Sequence, residues 1–242
     1  MTDTYTIYIV NQNPNGQLFW AFLAQPEVSD SPKVFANSDT NLYIAGGSQD
    51  LNSFKIPVQY VIGAGASNNA VGLNTVIESN STRNSDLTKL WDVTYANVPP
   101  RQGPTVPTAP SGTSPSGTLA MKTNPFDQQK NAANEWYESM SFGVKTSQGF
   151  MGITWNPAPN KTYTITPKLV FYISVGYYSS YSLADITAVA NESAKCNTSK
   201  DFDVLKQCTV VYSSTGEWTV KPGKPPKELL NSTRSVMLNS LV

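Results

Sequence analysis

The sequence predicts an all-β fold: a single β-sandwich or flattened barrel of about a dozen mostly antiparallel strands, with a long Pro-rich loop and one short helix. Three observations predict it. Apolar and polar residues alternate with period two in one segment after another. Turn signals separate those segments at short spacing. The composition suits strand surfaces, with 12 Tyr, 9 Phe and 5 Trp in 242 residues and only 14% of them charged, against about a quarter in an average globular chain.

The alternation starts at once. Tyr5, Ile7 and Ile9 face one way and Thr4, Thr6 and Tyr8 the other; after "NPNG" the run "QLFWAFLA" reads as the second arm of a hairpin. "SFKIPVQYVIGAG" places Phe54, Ile56, Val58, Tyr60 and Ile62 on a common face, and Pro57 within it demands an edge strand or a bulge. "GLNTVIES" and "LTKLWDVTYANV" read as further strands, the latter with Trp91, Val93 and Tyr95 on one face. In "NPFDQQKNAANEW", Pro125 fixes φ ahead of polar helix formers and predicts the short helix. "ESMSFGVKTSQGFMGITW" reads as a hairpin around Ser-Gln-Gly, "KTYTITPKLVFYISVGYY" and "SLADITAVA" as strands, and "CTVVYSSTGEWTV" as a hairpin turning at "SSTG". "PGKPPKELLNSTRSVMLNSLV" reads as a proline-rich link to a short helical tail.

Between Tyr95 and Met121 stand six prolines and a single charged residue, Arg101. Neither half of the chain has a complete hydrophobic set of its own, so residues 1–242 are expected to form one β-rich domain. On that reading 99–117 is a lid or rim loop within the domain, because unstructured connections this long are otherwise rare.

Lys plus Arg and Asp plus Glu both number 17. No basic stripe offers itself to a phosphate backbone, so nucleic acid is not expected as a partner. No stretch has the length of a membrane span. The first ten residues alternate and lack the charged and continuous apolar regions of a signal peptide, which points to the cytoplasm; a processed, secreted form stays open. Five N-x-S/T sequons, at Asn80, Asn160, Asn191, Asn197 and Asn231, are about what chance gives in so Ser- and Thr-rich a chain. Cys196 and Cys208 are the only cysteines, and their spacing allows either a disulfide or two free thiols. Oligomeric state is open, homo-oligomers included.

The chain contains no histidine. Histidine-based triads and proton shuttles are therefore ruled out, and two cysteines alone cannot complete a zinc or iron site. No metal or cofactor is implied. Other candidates each carry two readings. Asp201 and Asp203 would suit a divalent cation or a sugar nucleotide, or a solvated turn. Glu135 and Glu138 flank Trp136 and Tyr137, where apolar rings would raise a carboxyl pKa toward general-acid use, or else they line a wet strand face. Lys168, Tyr172, Ser174 and Tyr178 share a face that could cradle an apolar ligand carrying a few oxygens, or form a solvent-facing tyrosine ladder. Arg101, on a proline-stiffened loop, would hold an enolate or carboxylate, or simply keep the loop hydrated.

"GQLFWAFLAQPEV", "VFANSDTNLYI", "FKIPVQYVIGAGASNNAVGL" and "LWDVTYANVPPRQGP" together resemble a fungal family of small β-rich proteins, the cofactor-free hetero-Diels–Alderases of tropolonic sesquiterpene pathways. The resemblance spans about the first hundred residues and part of the Tyr-rich strand, rests on texture rather than a defining motif, and transfers no catalytic residue. It implies an enzyme of fungal secondary metabolism that joins a tropolone-derived o-quinone methide to a humulene-type terpene by binding and orienting both. The residues fit such a role: Trp20, Trp91, Tyr95 and Trp136 would hold the apolar substrate, while Arg101, Tyr137, Lys168 or Tyr172 would hydrogen-bond the tropolone oxygens as catalytic groups. The alternative is a lectin-like, carbohydrate-binding β-sandwich without catalytic activity. Its aromatics would lie on an open face or shallow groove, whereas the enzyme's would converge in a closed pocket.

Overall fold

The computed structural model describes residues 3–77 and 79–231. In chain order the strands are β1 (Thr4–Asn11), β2 (Gln17–Leu23), β3 (Glu27–Val28), β4 (Val34–Asn37), β5 (Asn41–Ile44), β6 (Asn52–Pro57), β7 (Tyr60–Ser67), β8 (Ser79–Ser85), β9 (Lys89–Val93), β10 (Gly112–Thr113) and β11 (Leu119–Thr123). Helix α1 (Gln128–Ala133) leads into β12 (Tyr137–Lys145), β13 (Phe150–Trp155), β14 (Thr162–Thr166), β15 (Val170–Val175) and β16 (Leu183–Ala184). Helix α2 (Ile186–Glu192) then precedes β17 (Ala194–Asn197), β18 (Gln207–Tyr212) and β19 (Trp218–Pro222). A further helical turn covers 227–231, and the rest of the expected tail lies outside the described residues.

The fold is all-β and sandwich-like. Among the described residues the strands form four sheets, in the orders β19-β18-β1-β6, β10-β9-β11-β14-β3, β16-β4-β13-β12-β7-β8 and β17-β15-β2-β5. Pairing is antiparallel except between β1 and β18 and between β9 and β11. One hydrophobic cluster draws on all four sheets, with Ile7, Phe54, Trp91, Phe142, Phe171 and Val210 among its members. No described helix is long and apolar enough to cross a membrane.

Side-chain alternation builds these strands as expected, but the pairing departs from the local reading in four places. β1 is hydrogen-bonded on both sides, by β18 and β6, so it has no edge left for β2, which pairs with β15 and β5 instead. The "NPNG" stretch therefore links two sheets, held by the buried Asn11 amide donating to the carbonyls of Asn15 and Ile44 at 3.0 and 3.2 Å. "SFKIPVQYVIGAG" is two strands: Pro57 has no N–H to continue a ladder, so the edge strand β6 stops there and β7 opens another sheet. Of "GLNTVIES", residues 72–77 form a connection and not a strand, and Ser79 already opens β8. "SLADITAVA" turns helical at Ile186 because the Asp185 carboxylate accepts from the N–H groups of Thr187 and Ala188, an N-cap that outweighs the apolar alternation. The expected short helix is present as α1, capped by Asp127.

The Pro-rich segment joins β9 to β11, which are parallel neighbours in one sheet. It is laid onto the body. Thr105 forms a two-way bridge with Thr94, Val106 is buried, and β10 lies along β9. Cys196 and Cys208 are both fully buried free thiols, on β17 and β18 of different sheets.

Candidate functional site

The six-stranded sheet has two unlike faces. Met140, Phe142, Val144, Met151 and Ile153 point into the core. Residues one step out of phase must lie on the opposite face, and on β12 and β13 these are Ser139, Ser141, Gly143, Gly152 and Thr154. Gly63 and Gly65 of β7 pair with Ser141 and Ser139, and with Thr82 and Asn80 of β8. The centre of this outer face is therefore floored by glycine and ringed by short hydroxyl and amide side chains. Those hydroxyl and amide side chains, with the Phe150 ring that lies over Gly143 and Gly152, line a cavity of about 390 Å³ on this face.

The glycines are needed for space. A Cβ on Gly143 would stand 2.8 Å from Phe150 Cε2, and one on Gly152 would stand 2.5 Å from Phe150 Cζ, so only bare backbone lets that ring lie down on the hairpin. A Cβ on Gly63 would overlap the Ser141 hydroxyl. The position of Asn37 on the groove wall is fixed by Thr154, whose hydroxyl donates to its side-chain oxygen at 3.0 Å.

The groove also has a cover. The connection from β7 to β8 crosses the face to the far edge of the sheet, where the Asn74 N–H donates to the Leu183 carbonyl of β16 at 2.8 Å. Thr75 ties the strap back through its hydroxyl to the Ala70 carbonyl at 2.9 Å. Val76, Ile77 and Leu183 thereby add an apolar side to the cavity, and Tyr181 stands at its rim.

Asp39 lines one end of this groove. Burial lifts its carboxyl from an ordinary 3.8 to about 6, partly offset by a backbone hydrogen bond from Tyr181. Its Oδ1 is buried with no hydrogen-bond partner among the described residues. A half-buried acid with one oxygen left unsatisfied is destabilising to the fold above its pKa, and such groups gather at functional sites. Lys145 and Arg83 also line the groove. Arg83 donates to the carbonyls of Thr82 and Pro107 at 2.8 and 3.2 Å, the latter in the Pro-rich segment.

The eight residues singled out by sequence are not gathered at this groove or at any other one point. Trp20 is in the core with its indole N–H donating to the Gly176 carbonyl at 3.2 Å. Trp91 and Tyr95 face the interior together, as their spacing requires: Trp91 donates to Ser85 Oγ at 2.8 Å and Tyr95 to the Ser139 carbonyl at 2.6 Å. Burial, and then the Glu138 charge, hold the Tyr95 phenol well above its usual pKa. Trp136 and Arg101 do meet, the guanidinium lying 5.8 Å from the ring centroid. That guanidinium also binds the Asn68 side chain at 2.8 Å, the Asn134 carbonyl at 3.1 Å and Glu135 at 3.7 Å, so it clamps one loop to another. Tyr137 opens β12 half-buried, Lys168 pairs with Glu27 at 3.1 Å on the surface, and Tyr172 packs half-buried on the core.

The acidic candidates are likewise occupied. Glu138 is buried and accepts from Asn131, whose amide also donates to the Ala96 carbonyl and whose oxygen accepts from the Val98 N–H, a brace for the loop after β9. Burial raises the Glu138 pKa and the Asn131 bond partly offsets it. Asp201 and Asp203 accept backbone N–H groups of Asn197, Leu205 and Gln207, closing turns. No known protein family, curated protein or solved structure matches the chain. The site has to be read from its own chemistry.

The sequence carried a signal for this groove that the search for aromatics and charges passed over. "GAGAS", "SMSFG" and "SNSTRN" each place small or polar side chains at every second position. Glycine at alternate positions of adjacent strands removes the side chains from one face, which marks close approach by a ligand or another chain segment.

Proposed function

We propose that the protein binds a small, uncharged, hydroxyl-rich molecule, the size of a mono- or disaccharide, in the groove on the outer face of the six-stranded sheet. One observation carries this reading: Asn37, Asn80, Thr82, Asn84, Ser139 and Ser141 line a single cavity of about 390 Å³. Amide side chains offer a donor and an acceptor a short distance apart, and hydroxyls serve as either, which matches the pairing that adjacent sugar hydroxyls require. The volume falls within the roughly 300–1,000 Å³ of small-molecule sites. Phe150 and Tyr181 supply flat faces for ring C–H groups.

The cofactor-free cycloaddition implied by the family resemblance is a second reading, favoured by the apolar side that Val61, Val76, Ile77 and Leu183 give the same groove. Two reactants held there side by side would gain rate from orientation alone.

Calorimetric titration with a panel of disaccharides separates the two. Wild-type protein is expected to bind at least one disaccharide with a dissociation constant near or below about 1 mM. Ser141→Leu, which points a larger side chain into the groove and away from the core, is expected to abolish binding with the thermal midpoint preserved. Absence of any disaccharide binding, together with retention of a sesquiterpene hydrocarbon that Ser141→Leu expels, would favour the second reading over the first.

A further inference from the structure

We infer that the groove is the first of a series of subsites on one surface track, and that the natural ligand is a linear, uncharged glycan rather than a free mono- or disaccharide. This rests on the proposed function and adds to it the length of the ligand. The observation behind it is the adjacency of three depressions, each sharing a wall with the next. The groove shares Leu183 with a second cavity of about 330 Å³ that is walled by Leu73, Asn74, Tyr177 and Ser182. The second shares the segment from Gly176 to Ser179 with a third, of about 570 Å³, walled by Gln17, Leu18 and Tyr43.

Tyrosines mark the track at intervals. Tyr181 at the groove rim is 74% exposed, Tyr177 between the second and third depressions is fully exposed, and Tyr43 at the far end is 65% exposed. Exposed rings grouped along a groove mark a binding surface more often than chance decoration, and a tyrosine offers an apolar face with a hydroxyl at its edge. That combination suits a pyranose, whose C–H face stacks while its hydroxyls bond at the rim. The third depression carries no charged side chain among its lining residues. In the second, Asp185 is engaged in capping α2 and Glu192 lies at that helix's end. The groove itself carries Asp39 with Arg83 and Lys145, so charge of neither sign dominates the track, and a neutral chain fits this better than an acidic or basic one.

The platform is also built in advance. Tyr178 is fixed by its hydroxyl at 3.2 Å from Ser174 Oγ and by edge-on packing against Trp20 and Phe22, at ring-centroid distances of 5.6 and 5.1 Å. Tyr43 lies so close over Gly16 that a Cβ there would overlap its hydroxyl and stand 2.7 Å from its Cζ. Gly16 thus gives the ring its seat, and a pre-seated ring loses little entropy when a sugar stacks on it.

The test compares cello-, malto-, xylo- and chitohexaose with the disaccharide of each linkage, by calorimetry on the full chain. For the linkage that binds, the hexaose is expected to be at least about tenfold tighter than its disaccharide, as each stacked ring adds about three- to tenfold. Tyr43→Ala combined with Tyr177→Ala is expected to bring the hexaose to within about twofold of the disaccharide. Equal affinity of hexaose and disaccharide, or a hexaose affinity indifferent to the tyrosine substitutions, would overturn the track and leave the groove reading standing. Failure of every disaccharide and hexaose to bind would overturn both. Binding to phosphatidylcholine vesicles that the same double substitution abolishes would identify the tyrosines as a membrane contact and overturn the track.

Discussion

Replacing Asp39 by Asn tests whether the groove is maintained at the expense of stability. The carboxyl stands at about 6 in the folded protein against an ordinary 3.8, raised chiefly by burial, and its Oδ1 has no partner among the described residues. A folded-state pKa above the unfolded value means that the native state holds the proton more tightly. The contribution to stability is therefore fully present below about pH 4, is lost as pH rises toward 6, and stays lost above it. At about 1.4 kcal/mol per pKa unit the full cost approaches 3 kcal/mol, and solvent around a half-buried carboxyl reduces this to about 1–2 kcal/mol. Asn has nearly the same shape and does not ionise. Asp39→Asn should match wild type near pH 4 and exceed it by about 1–2 kcal/mol at pH 8, or roughly 2–8 °C in thermal midpoint for a chain of this size. Urea unfolding of both proteins from pH 4 to pH 8 reads this directly, because the other carboxyls cancel in the difference. The variant should at the same time lose ligand affinity. A difference that is flat across pH, or a variant less stable at pH 8, would refute the account of Asp39.

Further outcomes follow from other contacts. Gly152→Ala pushes a methyl against Phe150 and the Phe142 carbonyl, and should cost about 1–3 kcal/mol in denaturant unfolding while weakening ligand binding. Val106→Ala removes a side chain that is only 2% exposed; it should cost about 2 kcal/mol, which a solvated linker would not show. Arg101→Ala breaks exposed contacts to Asn68, Asn134, Glu135 and Trp136, so stability should change by less than about 1 kcal/mol and disaccharide affinity should stay within error. Cys196 and Cys208 are fully buried thiols; a thiol reagent should modify neither in native buffer and both in denaturant.

The strand-rich architecture was legible because period-two alternation is a local property, and it placed β12, β13, β18 and β19 within a residue or two of their observed spans, whereas "LTKLWDVTYANV" read as one strand runs five residues past the end of β9 at Val93. Pairing was legible only where a short turn joined the partners, as in β12–β13 and β18–β19. β1 shows the limit: its neighbours are β6 and β18, and the latter begins some two hundred residues away, with no mark in either strand that names the other. The direction of Trp91 and Tyr95 was legible from spacing, but their role was not, since a buried tryptophan with a satisfied N–H and one lining a pocket look alike in sequence. Asp39 was illegible for a different reason. A single aspartate in "ANSDTN" reads as a loop residue, and its surroundings, with the Tyr181 backbone and the turn at Gly149 brought against it from far along the chain, are not written in that stretch.

The central claim, that ligand recognition resides on the outer face of the six-stranded sheet, is tested most directly by mapping backbone amide chemical shifts during titration with the tightest-binding disaccharide of the panel. The account predicts that the largest saturating shifts fall on Gly63, Gly65, Thr82, Ser139, Ser141 and Thr154, with Asn74 moving as the strap adjusts. Shifts concentrated instead around Arg101, Trp136 and Lys168, with the Gly63 and Ser141 amides unmoved, would contradict it.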